Sequence, residues 1–150
     1  MKVQPPGSST CGPIALLNAY YYLHKRYPPN VTTRRLSYSC NTSDEYGTEI
    51  WEIEDNKIIE LKKKTFDKEK ILNLKAFIML FYVGNFSAHY VFVEKDETSI
   101  DPCYNVYNYG RSGAHKYTQL FYQKDEFIQE FFKLRDDVDD YDYPIAWELL

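Results

Sequence analysis

The chain has few cysteines and no apolar stretch long enough to cross a bilayer. Its three cysteines, Cys11, Cys40 and Cys103, are an odd number without a C-x-x-C pair, which indicates neither a disulfide framework nor a zinc site. The first thirteen residues lack the charged and apolar regions of a secretory signal. No apolar run approaches membrane-spanning length. These absences predict a soluble protein in a reducing compartment, with no membrane partner.

The chain also lacks a dense basic stripe. Residues 136–150 hold six of the 22 acidic residues and none of the 18 Lys and Arg, so this end carries −6 and residues 1–135 carry +2. Binding to nucleic acid requires clustered Lys and Arg against the phosphates. We therefore expect no nucleic-acid partner.

The order of the predicted elements favours an α+β domain. A length of 150 residues with 44% hydrophobic residues is enough for one domain with a real core. Helical patterns come first and strand patterns follow, which is typical of α+β proteins. The predicted helices cover residues 13–25, 34–39, 49–56, 67–74 and 125–134, and the predicted strands cover 76–83, 88–93, 98–101 and 117–122.

The acidic end of the chain is predicted to be distinct from the body. Residues 136–142 are rich in Asp and are expected to cross the surface as an exposed strap. Ile145 and Trp147 are too apolar to be left in water, so we expect them to dock onto the body or onto a partner chain. The predicted division is a domain over residues 1–135 and an acidic strap with an apolar end over 136–150.

One cysteine lies where a helix is predicted to begin. A turn-forming run ends at Thr10-Cys11-Gly12-Pro13, and a helix that is apolar on nearly all sides follows. Pro13 fits the first helical turn, where a missing N–H costs nothing. The N-terminal end of a helix favours the thiolate of Cys11 over the thiol, which suits a nucleophile. Inert packing is the alternative, because cysteine is often buried.

A cysteine nucleophile needs a base and a group that orients that base. His24 and His115 lie in polar surroundings, whereas His89 opens a predicted strand beside a buried one. A hairpin from His89 to Asp101 is expected to return Asp101 to the histidine, although Asp101 before a proline is also a common turn former. Gln4 is a candidate donor to an oxyanion, unless its side chain is simply exposed.

Together these residues resemble a papain-like cysteine peptidase. The resemblance rests on Gln4, Cys11-Gly12-Pro13, Gly47-Thr48, Ala88-His89-Tyr90-Val91-Phe92-Val93, Ile100-Asp101-Pro102 and the helix at Asp125-Glu126-Phe127. It spans residues 4–134 and is strongest to the compact group of bacteriocin-leader (double-glycine) processing peptidases, which have one residue fewer between Gln and Cys. The resemblance implies a papain-like fold in which a buried N-terminal helix carries the nucleophile against an antiparallel sheet. It implies Cys11 as nucleophile, His89 as base, Asp101 as orienting residue and Gln4 in the oxyanion hole.

The resemblance implies a thiol hydrolase, with a cysteine peptidase acting on a protein or peptide substrate as the first hypothesis. The same residues also suit a deamidase or transglutaminase acting on Gln side chains, since the first half-reaction is shared. A non-catalytic papain-like binding module is a third hypothesis. No cofactor is expected, and no metal, because a site from Cys11, His89 and Cys103 has no ligand spacing in its favour.

Overall fold

The computed structural model describes residues 1–5, 7–83, 87–98, 100–110, 117–132 and 144–150. Within these ranges the chain forms an α+β fold, in which an N-terminal helix packs against a five-strand antiparallel sheet of order β4-β3-β2-β1-β5. The helices are α1 (Cys11–His24), α2 (Thr33–Ser39), α3 (Ile50–Glu54), α4 (Lys68–Asn73) and α5 (Lys124–Phe131). The strands are β1 (Ala76–Val83), β2 (Ser87–Asp96), β3 (Cys103–Tyr107), β4 (Leu120–Gln123) and β5 (Ile145–Glu148).

Helix α1 is buried on all sides over its first half. Its residues 12–19 are buried, as expected for a helix whose apolar residues are not confined to one face. Leu16 and Leu17 join the core cluster that also contains Ile78, Phe92 and Trp147 of the sheet. A rigid, buried helix therefore holds Cys11 at its first position.

Strand β1 is apolar on both faces because both faces of the sheet are covered. Ile78 and Leu80 point to the cluster around α1, whereas Phe77, Met79 and Phe81 point to a second cluster that includes α5. This alternation follows from the two-residue period of a strand. The prediction of a buried central strand over residues 76–83 is confirmed.

The predicted third strand over residues 98–101 is wrong. Strand β2 continues to Asp96, and β3 begins only at Cys103; the described residues between them, 97, 98 and 100–102, are not in a strand. The register pairs Asp96 with Cys103 and Phe92 with Tyr107. The hairpin is therefore longer than expected, and its turn lies farther from the start of β2.

The C-terminal residues form an edge strand on the body. In β5, Trp147 lies opposite Ile78 and Ile145 opposite Leu80, and both β5 residues are fully buried. The expectation that Ile145 and Trp147 dock onto the body is confirmed. The predicted acidic strap, residues 136–142, lies outside the described residues.

The segment before α4 covers the outer edge of β5. Backbone bridges join Leu61 to Leu149 and Thr65 to Ala146. Trp147 also donates its indole N–H to Glu54 Oε2 at 3.1 Å. In the described part of the chain, no helix is both long enough and apolar enough to span a bilayer.

Candidate active site

A cleft of about 350 Å³ opens at the N-terminal end of α1. Three segments of the chain supply its walls: the residues that lead into α1, the turn before α3, and the start of β2. Cys11 and His89 both line this cleft, and so does Gln4. The full lining is Gln4, Ser8, Ser9, Cys11, Glu45, Tyr46, Gly47, Ser87, Ala88 and His89. Three of the four residues expected at the site are thus brought together.

The position of Cys11 depends on a close approach between α1 and the turn before α3. A Cβ atom on Gly12 would lie only 2.7 Å from Thr48 Oγ1, so only glycine fits without a shift. Thr48 is itself held, because its hydroxyl pairs with Thr42 Oγ1 at 2.7 Å and its carbonyl accepts from the Tyr90 hydroxyl at 3.0 Å. This contact fixes the first turn of α1 against the wall of the cleft.

Cys11 lies at the N-terminal end of α1, where the helix dipole attracts negative charge. Cys11 is the first residue of α1 and is partly exposed to the cleft. The first N–H groups of a helix have no acceptor within the helix, and their dipoles attract negative charge. The first turn of α1 carries no acidic side chain that would oppose this effect. The prediction that Cys11 lies on the first helical turn is confirmed.

His89 is held by a backbone carbonyl. Its Nε2 lies 2.8 Å from the backbone oxygen of Asn108. The ring is buried and packs edge-on against Phe81, with centroids 5.8 Å apart, and near Tyr109 at 6.2 Å. The hydrogen bond to Asn108 and these two aromatic neighbours therefore help to set the position and orientation of the ring.

This hydrogen bond also determines the tautomer of His89. A carbonyl oxygen only accepts, so Nε2 must carry the proton. In the neutral ring the basic nitrogen is then Nδ1. The imidazole is thus set to accept a proton at Nδ1.

Asn108 joins His89 to Gln4. Its side-chain Oδ1 accepts the backbone N–H of Gln4 at 2.9 Å, and its Nδ2 donates to Gln4 Oε1 at 3.0 Å. Gln4 Nε2 in turn donates to the backbone oxygen of Ser8 at 2.8 Å. Asn108 is almost fully buried and has a left-handed backbone with φ of 66°. One residue thus positions both the histidine and the glutamine of the cleft.

The structure does not bring Asp101 to His89. Asp101 is exposed in the connection between β2 and β3, whereas His89 lies near the opposite end of β2. Seven residues separate His89 from Asp96, which is a distance of roughly 23 Å along an extended strand. The expectation that the hairpin places Asp101 beside His89 is wrong, because the turn begins later than the sequence suggested.

The other cysteines lie away from the cleft lining. Cys103 begins β3, at the same end of the sheet as Asp96, and its thiol lies 3.8 Å from the backbone oxygen of Asp101. Cys40 is buried, and this burial raises the pKa of its thiol. All three cysteines lie in described ranges, and none forms a disulfide. Among the described residues, no group of three or more His, Cys, Asp or Glu side chains is placed to hold a metal.

Asn108 is the site residue that sequence reasoning missed. It lies in a stretch rich in Tyr and Asn that was expected to be a loop, and a backbone carbonyl leaves no signature in a sequence. The one available signal was an Asn followed by Tyr109-Gly110, because Asn is tolerated in left-handed turns.

Comparison with known proteins does not add to this picture. A scan against protein-family models and a search of curated proteins both find no match to the chain.

Proposed function

We propose that the chain is a cysteine peptidase with a papain-like fold, similar in plan to the compact bacteriocin-leader processing peptidases. The observation that carries the proposal is the cleft that Cys11, His89 and Gln4 line together. These residues come from three separate parts of the sequence and are those that thiol catalysis needs. A cysteine on a helix N-terminus and a histidine with a fixed tautomer supply the nucleophile and the base.

In the proposed reaction, Cys11 transfers its thiol proton to His89 Nδ1. The thiolate attacks the carbonyl carbon of the scissile amide, and a C–S bond forms while the carbonyl π pair moves onto oxygen. When that pair returns, the C–N bond breaks, and the leaving amine takes the proton from His89. A water molecule then attacks the thioester and gives its proton to His89. The C–S bond breaks, the carboxylic acid leaves, and the Cys11 sulfur takes the proton back from His89.

Gln4 and the backbone N–H of Cys11 are the proposed oxyanion donors. Gln4 Nε2 uses one proton for the Ser8 carbonyl, and an amide nitrogen has a second proton for the substrate oxygen. The bond from Asn108 Nδ2 to Gln4 Oε1 holds this side chain in place before substrate arrives, and the bond from the Gln4 N–H to Asn108 Oδ1 holds its backbone. Preorganised donors of this kind are worth about 10²–10³ in kcat.

The orienting role belongs to the carbonyl of Asn108 in this proposal, and Asp101 has no part in it. A neutral carbonyl fixes the ring of His89 but adds no full charge to stabilise an imidazolium. Charge-assisted hydrogen bonds are stronger than neutral ones, so this arrangement gives orientation with less charge stabilisation than a carboxylate.

Cleavage of a peptide library tests the proposal. The wild-type chain is expected to cut a subset of peptides, and Cys11→Ala and His89→Ala are expected to abolish cleavage while circular dichroism shows a retained fold. Cys40→Ser is the matched control, because it removes a thiol that does not line the cleft, and it should keep full activity. Cleavage that persists in Cys11→Ala would rule out thiol catalysis by this cleft.

The same library separates peptidase from deamidase. Mass spectrometry distinguishes a cut peptide bond from a Gln side chain that gains about 1 Da through hydrolysis of its amide, although both reactions pass through a thioester on Cys11. Deamidated, uncut peptides would overturn the peptidase assignment and retain the thiol mechanism. No reaction of either kind would favour a binding module.

A further inference from the structure

The cleft contains one charged group that the proposed chemistry does not use. Glu45 lines it together with Cys11 and His89, and its side chain is exposed to solvent. The described lining residues include no Lys or Arg. Within the described part of the chain Glu45 also has no ion-pair partner. The charges of a thiolate and an imidazolium cancel each other. Glu45 therefore gives the described lining of the cleft a net negative charge.

The turn that carries Glu45 is braced on both sides. Ser43 and Gly47 exchange two backbone hydrogen bonds of 2.9 Å, and the Tyr46 N–H donates to Ser43 Oγ at 2.8 Å. Gly47 has a φ of 72°, which closes the turn in a conformation that suits glycine. Ser9 Oγ donates to the Asp44 carbonyl at 2.7 Å, which ties the turn to the segment before Cys11. The carboxylate is thus presented on a fixed support.

An aromatic residue, Tyr46, follows Glu45 directly in the sequence. Tyr46 is 77% exposed and also lines the cleft. A carboxylate and an exposed aromatic ring both attract a cation, the first by charge and the second by the quadrupole of its face. Lys2 and Arg34, in contrast, line a separate cavity that shares only Ser8 with the cleft.

We propose that the cleft selects a cationic side chain, Lys or Arg, of its peptide substrate, with Glu45 as the counter-ion and the ring of Tyr46 beside it. This inference rests on the proposed peptidase function and specifies its substrate class. Glu45 touches substrate in this account but takes no part in bond breaking. It determines specificity through this contact.

Thiol labelling tests charge selection without a known substrate. Methanethiosulfonates that carry a trimethylammonium, a sulfonate or a neutral ethyl group react with a thiolate to form a mixed disulfide and release methanesulfinate. Their rates at Cys11, followed by peptide mass spectrometry, should favour the cation over the anion by about fivefold, as expected for an exposed ion pair near the upper end of its usual strength. The preference should weaken at high salt.

Charge variants assign the preference to Glu45. Glu45→Gln should remove it and Glu45→Lys should reverse it. Asp44→Lys is the matched control, because it changes the net charge equally in the same turn, and Asp44 does not line the cleft. The labelling ratio at Cys103 serves as an internal reference and should stay constant. Equal ratios in wild type and Glu45→Lys, or equal shifts in Glu45→Lys and Asp44→Lys, would overturn the inference.

Peptide cleavage gives the second arm of the test. Peptides with Lys, norleucine or Glu at each position around the scissile bond should show a kcat/KM preference for Lys over norleucine that Glu45→Gln removes. A Lys preference that survives Glu45→Gln would contradict the inference and leave the peptidase function intact. If no peptide is cut, the proposed function fails, and the labelling ratios still decide whether the cleft selects cations.

Discussion

His89 Nε2 lies 2.8 Å from the backbone oxygen of Asn108, and this contact replaces the expected one to Asp101. The side chain of the same Asn108 makes two hydrogen bonds to Gln4. The base and the proposed oxyanion donor of the cleft therefore share one support. This arrangement predicts effects of mutation that differ from those expected of a Cys-His-Asp triad.

Asp101 is expected to be dispensable. It is exposed in the turn between β2 and β3, at the far end of β2 from His89. Asp101→Ala should keep kcat/KM within about twofold of wild type, since surface substitutions away from a site have small effects. Steady-state cleavage of the best library peptide measures this. A loss of 10²-fold or more, with the fold retained, would restore Asp101 to the mechanism.

Asn108 is expected to act through both its carbonyl and its side chain. Asn108→Gly keeps the carbonyl and the left-handed backbone but loses both hydrogen bonds to Gln4. The free energy of unfolding should therefore fall by about 1–3 kcal/mol. We expect kcat to fall by about tenfold, because Gln4 is loosened but still present. Asn108→Ala places alanine at this left-handed backbone position, where its Cβ is unfavourable. This should lower the free energy of unfolding by a further ~1–2 kcal/mol.

Gln4→Ala provides the comparison for Asn108. It removes the proposed oxyanion donor and should lower kcat by about 10²–10³. Urea denaturation and steady-state kinetics on the three variants separate stability from catalysis. If Gln4→Ala cost less in kcat than Asn108→Gly, Gln4 would not be an oxyanion donor.

The C-terminal strand is expected to be essential for stability. Trp147 is fully buried in the core cluster on the α1 side of the sheet, so Trp147→Ala should lower the free energy of unfolding by about 3–5 kcal/mol. Leu150→Ala is the control, because Leu150 is 69% exposed and should change stability by less than about 0.5 kcal/mol. Thermal unfolding measures both. Similar melting temperatures for the two variants would contradict the docked strand.

The sequence was most informative for α1 and β1, where the local signal is strong and agrees with the tertiary structure. The proline at Pro13 and the apolar run after it predicted α1, and the unbroken apolar run over residues 76–83 predicted β1. The apolar residues Ile145 and Trp147 predicted burial, but not that they would pair with β1, since pairing partners 60 or more residues apart have no local signature.

The prediction that Asp101 contacts His89 was wrong for a different reason. Lys95 and Asp96 disfavour a strand by propensity, yet β2 continues through them because they pair with Tyr104 and Cys103. Tertiary pairing thus moved the turn and removed Asp101 from the site. The group that replaced it is a main-chain oxygen of Asn108, which every residue type possesses.

The pH dependence of Cys11 alkylation tests the central claim most directly. Iodoacetamide labelling at each cysteine is followed by mass spectrometry between about pH 5 and 10, in wild type and in His89→Ala. Cys40 is the internal control, because burial raises the pKa of its thiol and should keep it nearly unreactive at neutral pH. If a thiolate–imidazolium pair forms, the alkylation rate of wild-type Cys11 should already have reached its plateau at a pH well below about 8.5, the ordinary pKa of a thiol. His89→Ala should lose this plateau at low pH. A Cys11 rate that rises only near about pH 8.5, equally in both proteins, would contradict the account.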